Sequence, residues 1–182
     1  MMFVKAFGIL GLVSTMAAAL PTTLERRATN STGGGVQIIN NMGKDIYLWS
    51  VGQSADAPMV TLTSGGNNTY SESWRTNADG GGVSIKISTT PDQSDVLQYE
   101  YTLVSPIIYY DLSCINMGNG SEFTTAGFAV TSNDNSTCKS AVCKPGDTAC
   151  ADAYLWPTDD QATRGCPETV QMTLNLGPSA AE

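Results

Sequence analysis

The chain has 182 residues, of which 17 are acidic, nine are basic and none is histidine. The lack of histidine excludes Ser–His and Cys–His nucleophile systems and histidine metal sites, and the net charge of -8 argues against nucleic-acid partners, which require clustered lysine and arginine. No stretch approaches the ~20 apolar residues of a membrane-spanning helix, so we expect no membrane insertion.

The N-terminus has the pattern of a secretory signal peptide over residues 1–19. Lys5 precedes an apolar run at 6–13, and three alanines at 17–19 supply the small residues that a signal peptidase needs. We therefore expect a secreted protein.

Residues 20–27 follow the signal peptide and end in the dibasic pair Arg26-Arg27, which is typical of the processing site of a pro-segment. An ordinary charged linker is the alternative. Cleavage there leaves six basic and 16 acidic residues, a net charge of minus 10. The remaining length fits one domain with a frayed tail at each end. The predicted domain is 28–182, and its tails are 28–35 and 178–182.

Short β-type runs separated by Gly, Asn, Asp and Pro fill the rest of the chain, and helix signals are nearly missing. Val83, Ile85 and Ile87 alternate with polar residues, as in a strand with one wet face. This pattern predicts an all-β sandwich of antiparallel sheets. The predicted strands are 36–40, 45–51, 59–62, 69–74, 82–89, 96–104, 107–112, 125–131 and 169–176.

Asn-x-Ser/Thr sequons occur four times, which fits passage through the secretory pathway. The asparagines are Asn30, Asn67, Asn119 and Asn135. Asn67 and Asn135 lie in turn-like runs rich in Ser, Gly and Asn, where a glycan would face water. These two are the sequons that we most expect to be used.

Four cysteines in the last third have the spacing C-x4-C-x6-C-x15-C, at positions 138, 143, 150 and 166. In a secreted chain this predicts two disulfides in a loop-rich lobe rather than a zinc site, although four cysteines allow three pairings. Cys114 is then the odd cysteine. We expect it to be buried and inert, the alternative being a reactive or intermolecular thiol.

Several motifs together resemble a known family. VQIINN at 36–41 with YLW at 47–49 resembles a first hairpin, SESW at 71–74 a Gly-x-Ser-Trp type strand, and YYDLS at 109–113 a Tyr-Asp-Val/Leu-Ser signature. The segment 138–160 resembles a disulfide lobe. In this order the motifs are similar to those of small fungal thaumatin-like proteins, including the group named for a yeast-phase-specific secreted antigen and related extracellular germination proteins.

The resemblance implies a pairing of the cysteines and the absence of one bond. Larger thaumatin-like proteins tie the first hairpin to the last strand with a disulfide, whereas the matching positions here are Met42 and Gly177. The implied disulfides are Cys138–Cys166 and Cys143–Cys150.

Some thaumatin-like proteins have an acidic cleft between sheet and disulfide lobe and weak endo-β-1,3-glucanase activity. The fourth acid of that cleft corresponds to Asn116 here, and no arginine matches the family's cleft arginine, since Arg75 lies in a different strand context. A cleft that lacks one carboxylate can still hydrogen-bond sugar hydroxyls. The carboxylates that resemble the remaining cleft acids are Glu100, Asp111 and Asp152, each of which could instead cap a turn or be solvated.

Aromatic side chains are the other candidate sugar contacts, because a ring face packs on a pyranose. Trp156, beside Pro157 in the lobe, is the expected exposed aromatic, whereas Trp49 and Trp74 are expected in the core. The remaining candidates are Tyr99, Tyr101, Tyr109 and Tyr110. Alternation places Tyr99 and Tyr101 on the strand face opposite Glu100, where they cannot line its cleft unless a bulge intervenes.

The resemblance therefore implies a monomeric extracellular or cell-wall protein without cofactor or metal, and cell-wall β-glucan is its candidate ligand. We expect binding without catalysis. One alternative is a weak endo-β-1,3-glucanase that uses the cleft carboxylates. The other is a surface antigen or adhesin that contacts a host or cell-surface protein.

Overall fold

A computed structural model describes residues 33–53, 57–159 and 161–177. Within these ranges, no helix has the length and apolar character needed to cross a membrane. Some predictions made above lie outside the described residues. They are the signal peptide at 1–19, the pro-segment at 20–27, the sequon at Asn30, the tail at 178–182 and most of the tail at 28–35.

In its described part the chain forms strands in two sheets. The five-stranded sheet has the order β4-β1-β11-β8-β9, and the six-stranded sheet has the order β10-β7-β6-β5-β2-β3. Neighbouring strands are antiparallel except β1 and β11, which are parallel. The strands are β1 (Gly35–Asn40), β2 (Ile46–Val51), β3 (Val60–Leu62), β4 (Thr69–Ser73), β5 (Val83–Ser88), β6 (Val96–Val104), β7 (Ile107–Asn116), β8 (Phe128–Ser132), β9 (Ala141–Cys143), β10 (Arg164–Pro167) and β11 (Gln171–Leu176).

The two sheets bury one apolar face each against a shared core. In β5, Val83, Ile85 and Ile87 are buried, while Ser84 and Lys86 between them are partly exposed. The inner face of β11 presents Met172, Leu174 and Leu176 in the same way. Because successive side chains of a strand point to opposite faces, this alternation specifies which side of each sheet is buried. The predicted all-β sandwich is confirmed.

A short helix, α1 (Glu122–Ala126), corrects the predicted strand at 125–131, since β8 begins only at Phe128. The Ser121 hydroxyl accepts a hydrogen bond from the Phe123 N–H at 3.2 Å, and the N–H of Gly127, at φ 79°, donates to the Phe123 carbonyl. A serine N-cap and a glycine C-cap are strong local helix signals. Here they outweigh the β propensity of the threonines between them.

The two short strands β9 and β10 were not predicted, and β7 continues to Asn116, beyond the predicted end at 112. The Arg-Gly-Cys-Pro sequence of β10 has no β signal, and such a strand is tolerated because it lies at a sheet edge. The expected tail 28–35 is wrong at its end, because Gly35 begins β1 and the Gly34 N–H donates to the Glu168 carbonyl at 3.1 Å.

Both disulfides have the pairing that the resemblance implies. Cys138 bonds Cys166, with Cα atoms 5.0 Å apart, and Cys143 bonds Cys150, with Cα atoms 5.4 Å apart. The first links the connection between β8 and β9 to the edge strand β10, and so joins the edges of the two sheets. Cys114 is unpaired and packs against the core, and burial raises the pKa of its thiol to about 12. A thiol with such a pKa is protonated at neutral pH and is a poor nucleophile.

Candidate functional site

An open cleft of about 520 Å³ lies on the outer face of the six-stranded sheet. Strands β5, β6 and β7 form its floor, because their outward side chains alternate with the tyrosines and aliphatic residues of the core. The lining residues that matter for binding are two carboxylates, an exposed tyrosine and three hydroxyl side chains: Glu100, Asp111, Tyr109, Ser84, Thr102 and Thr163.

The register of the sheet brings the two carboxylates together. Ser84 lies opposite Glu100, and Glu100 lies opposite Asp111, so one row of polar side chains crosses three strands. Directly opposite residues of antiparallel strands point to the same face with Cβ atoms about 5 Å apart. Glu100 and Asp111 therefore stand side by side on the floor of the cleft.

Neither carboxylate forms an ion pair with another described residue. The ion pairs between described residues are Lys44–Glu122, Arg75–Glu72 and Arg164–Asp152, so none includes Glu100 or Asp111. The Asp111 Oδ1 atom is buried and has no hydrogen-bond donor among the described residues. A buried acceptor without a donor is costly in a folded protein.

Burial raises the pKa of both carboxyls in this pair. Burial, followed by the neighbouring Glu100 charge, raises the pKa of Asp111 from 3.8 to about 7, and the positive charge of Arg164 partly opposes the shift. Burial also raises the pKa of Glu100, against the Ser84 hydrogen bond and the charge of Lys86. Two adjacent carboxyls cannot ionise independently. In mildly acidic medium the pair therefore offers a hydrogen-bond donor as well as acceptors.

Asp111→Asn should remove a pH-dependent loss of stability. The folded pKa lies above the unfolded one, so the stability that protonation contributes is fully present below pH about 4 and is lost as pH rises through about 7. After discounting for partial exposure, we expect the unfolding free energy to fall between pH 5 and pH 8 by about 1–2 kcal/mol more in the parent than in the variant. Urea denaturation at both pH values measures this difference. An equal fall in the unfolding free energy of parent and variant would contradict the prediction.

Asp152, the third candidate acid, has a structural role outside the cleft lining. Its Oδ2 atom accepts from the Val142 N–H at 2.8 Å, and its Oδ1 atom accepts from the Arg164 guanidinium. It thereby ties the segment between the disulfide cysteines to β9 and β10. Its carboxylate oxygens are engaged, so it is not a free acid for chemistry.

Asn116 and Trp156 also lie outside the residues that line the cleft. Asn116 ends β7, and its Oδ1 atom accepts from the Gln98 side chain at 3.2 Å. Trp156 is 56% exposed, as expected, but it stands on the disulfide lobe. Of the five predicted ligand contacts, the cleft therefore brings together Glu100 and Asp111 alone.

The sequence did not predict the position of Arg164. It is the only basic residue after Lys144 in the chain, and β10 places it beside Asp152, close enough to lower the pKa of Asp111. Because the sequence did not predict β10, the proximity of Arg164 to Asp152 and Asp111 could not be inferred. Arg75 instead pairs with Glu72 at 3.3 Å and donates to Ser50 Oγ at 3.0 Å.

The aromatic residues divide between core and surface. Trp49 is buried, and the half-buried Trp74 packs against Tyr101 with ring centroids 5.0 Å apart. The Tyr101 ring is buried between the sheets, on the strand face opposite Glu100, as alternation predicts. Tyr109, at 43% exposure, is the accessible ring of the cleft.

The described residues contain no cluster of three or more cysteine, aspartate or glutamate side chains arranged to hold a metal ion. The cleft lining offers carboxyl and hydroxyl groups for hydrogen bonding, with the Tyr109 ring beside them.

Comparisons with known proteins identify several similar chains. A family model described as Bys1, Blastomyces yeast-phase-specific protein, matches residues 24–178. The chain is 45% identical over 177 residues to the secreted thaumatin-like protein calA of Emericella nidulans, covering 97% of this chain and 98% of that protein. It is 40% identical over 164 residues to the antigenic thaumatin-like protein of Arthroderma benhamiae, covering 90% of this chain and 79% of that protein.

Among solved structures, the protein elicitor MoHrip2 of Magnaporthe oryzae is similar with a TM-score of 0.62 and 25% sequence identity, and the match covers 79% of this chain and 98% of that one.

Proposed function

This chain belongs to the Bys1 family of Blastomyces yeast-phase-specific proteins and is a secreted thaumatin-like protein; from that premise we propose that it is a non-catalytic protein that binds cell-wall β-glucan through its acidic cleft. One observation carries the proposal. Glu100 and Asp111 stand side by side in an open cleft, and neither forms an ion pair with another described residue.

The chemistry of the cleft favours a neutral ligand rich in hydroxyls. A carboxyl pair that retains a proton both donates and accepts hydrogen bonds, and Ser84, Thr102 and Thr163 add hydroxyls along the lining. The acidic net charge of the chain repels anionic polymers. A β-glucan carries many hydroxyls and no charge, so it matches both properties.

Hydrolysis is disfavoured by the placement of the acids. A glycosidase needs one carboxyl on each side of the scissile bond, one of them ionised. Glu100 and Asp111 project from adjacent strands to the same face. Asp152 could have supplied the carboxyl on the other side of the scissile bond. Its oxygens, however, accept hydrogen bonds from Arg164 and from the Val142 N–H.

Delivery to the wall belongs to the same proposal. Residues 1–19 direct secretion, and cleavage after Arg27 releases the mature chain. Of the predicted glycosylation sites, Asn67, Asn119 and Asn135 are exposed and can carry glycans without disturbing the core. The mature protein is held in the wall non-covalently by the glucan.

The direct test uses the mature protein, residues 28–182, and insoluble β-1,3-glucan. We expect the parent to be retained on the polymer and to release no soluble sugar. Glu100→Ala combined with Asp111→Ala should weaken retention roughly tenfold, because about two hydrogen-bonding groups are lost. Glu122→Ala, an exposed carboxylate on α1, is the matched control and should bind as the parent does.

Two outcomes of that test would overturn the proposal. Absence of retention would remove glucan as the ligand. Release of oligosaccharides that stops with Glu100→Gln and Asp111→Asn would instead establish a weak endo-β-1,3-glucanase.

A second candidate function is contact with a protein of a host or neighbouring cell. The names of two similar proteins favour it, since one is called antigenic and another a protein elicitor. Affinity capture from cell surfaces should then return a saturable protein partner whose binding is unaffected by soluble glucan. Capture that glucan abolishes would favour the first function.

A further inference from the structure

Tyr109 occupies an unusual position for a large aromatic side chain. It lies on the outer face of β7, two residues before Asp111, and 43% of it is exposed. In the register of the sheet its neighbours are Thr102 on β6 and Gly165 on β10. The ring is therefore the next outward side chain along β7 from the carboxylate pair, and it lines the same cleft.

Gly165 leaves room for this ring. A Cβ atom added at Gly165 would lie 3.2 Å from Tyr109 Cε1 and 3.5 Å from Cδ1, so the ring covers the place that a side chain would take. Gly165 is not among the glycines with positive φ, so the backbone itself does not require glycine there. The added Cβ would also lie 3.5 Å from Ile107 Cγ2, which shows that Tyr109 and Ile107 flank the same gap.

We propose that Tyr109 is the sugar-stacking residue of the cleft, on which a hexopyranose unit packs its C–H face while its hydroxyls reach Asp111 and Glu100. This inference rests on the proposed function. Stacking requires a ring face without axial hydroxyls. All ring substituents of a β-linked glucose unit are equatorial, so both of its faces present C–H groups. An α-linked mannose unit carries an axial oxygen on each face, the C2 hydroxyl on one and the glycosidic oxygen on the other. Tyr109 therefore selects β-glucan over α-linked mannan.

The other large apolar side chains that are exposed among the described residues do not line the cleft. Trp156 is more exposed than Tyr109 but is not among the residues that line the cleft, and the same holds for Val104 and Met59. Trp156 therefore serves as a matched control, because it is a large exposed aromatic without a neighbouring carboxylate pair in the cleft.

The experiment compares retention of four variants of the mature protein on insoluble β-1,3-glucan and on insoluble α-linked mannan. We expect Tyr109→Ala to weaken glucan retention roughly fivefold to tenfold and to lower the ratio of glucan to mannan retention. Tyr109→Phe keeps the ring and should stay within about twofold of the parent. Gly165→Val displaces the ring and should resemble Tyr109→Ala, while Trp156→Ala should resemble the parent.

The outcomes separate this inference from the function on which it rests. If the parent binds and Glu100→Ala with Asp111→Ala does not, while Tyr109→Ala binds with unchanged selectivity, the stacking role is wrong and the glucan function stands. If the parent binds neither polymer, both are wrong. A loss of binding in Tyr109→Ala that Tyr109→Phe shares would also overturn the stacking role, since the ring is present there. Far-UV and near-UV circular dichroism of each variant shows that it is folded.

Discussion

Replacing Cys138 and Cys166 by alanine should lower the free energy of unfolding by about 3.5 kcal/mol, because the bond closes a 28-residue separation and its loss frees that loop in the unfolded chain. The bond also joins the edges of the two sheets through β10. Since β10 carries Arg164 and Gly165, the variant should also bind glucan more weakly. Guanidinium denaturation of the purified mature variant measures the first effect.

The second disulfide provides an internal control for this prediction. Cys143–Cys150 closes a separation of seven residues, so the same chain-entropy argument gives about 2.5 kcal/mol for its removal. The order of the two losses of unfolding free energy is the more decisive result. A larger loss for Cys143→Ala with Cys150→Ala than for the Cys138 and Cys166 double variant would contradict the chain-entropy argument for the longer loop.

Glu72→Ala should lower the free energy of unfolding by about 2–3 kcal/mol, because it removes the acceptor at the centre of a network between the sheets. Glu72 lies on β4, and its carboxylate accepts from Ser50 Oγ at 2.6 Å and from the Tyr101 hydroxyl on the other sheet. Arg75 Nε donates to it at 3.3 Å. Burial, then the hydrogen bond to Glu72, raises the pKa of Tyr101 far above its usual value, so the hydroxyl remains a donor.

Glu122→Ala is the matched control for Glu72→Ala. The side chain of Glu72 is 11% exposed, whereas that of Glu122, which pairs with Lys44 at 2.7 Å, is 53% exposed. Exposed ion pairs contribute about 0–1 kcal/mol, so the control should change the urea midpoint little. Because the Arg75 side chain is 40% exposed, its unpaired charge can reach water, which keeps the expected cost below that of a fully buried pair. Equal losses for both variants would contradict the network.

The long strands could be predicted because their side chains alternate with a period of two, as in β5 and β6, and one buried face leaves little freedom of register. Of the short strands, β3 was predicted, whereas β9 and β10 were not. Three or four residues are too few for a period, so β9 and β10 depend on the disulfides and on their neighbours. In α1, capping by Ser121 decides the local structure against β propensity.

In the candidate site, too, contacts between long strands could be predicted, whereas contacts that depend on the short strand β10 could not. The opposition of Glu100 and Asp111 follows from their positions on adjacent long strands. The engagement of Asp152 and the nearby charge of Arg164 depend on β10, which has no β signal in the sequence. The place of Tyr109 depends on the missing side chain of Gly165 across that same edge. Sequence periodicity carries no information about such contacts.

The central claim is that a neutral glucan binds in the cleft above Glu100 and Asp111. The most direct measurement is an amide chemical-shift titration of the ¹⁵N-labelled mature protein with a soluble linear β-1,3-gluco-oligosaccharide. The account predicts saturable shifts concentrated on β5, β6 and β7 around Ser84, Glu100 and Asp111, and their loss in the double alanine variant. Shifts confined to the lobe around Trp156, or no shifts at millimolar oligosaccharide, would contradict it.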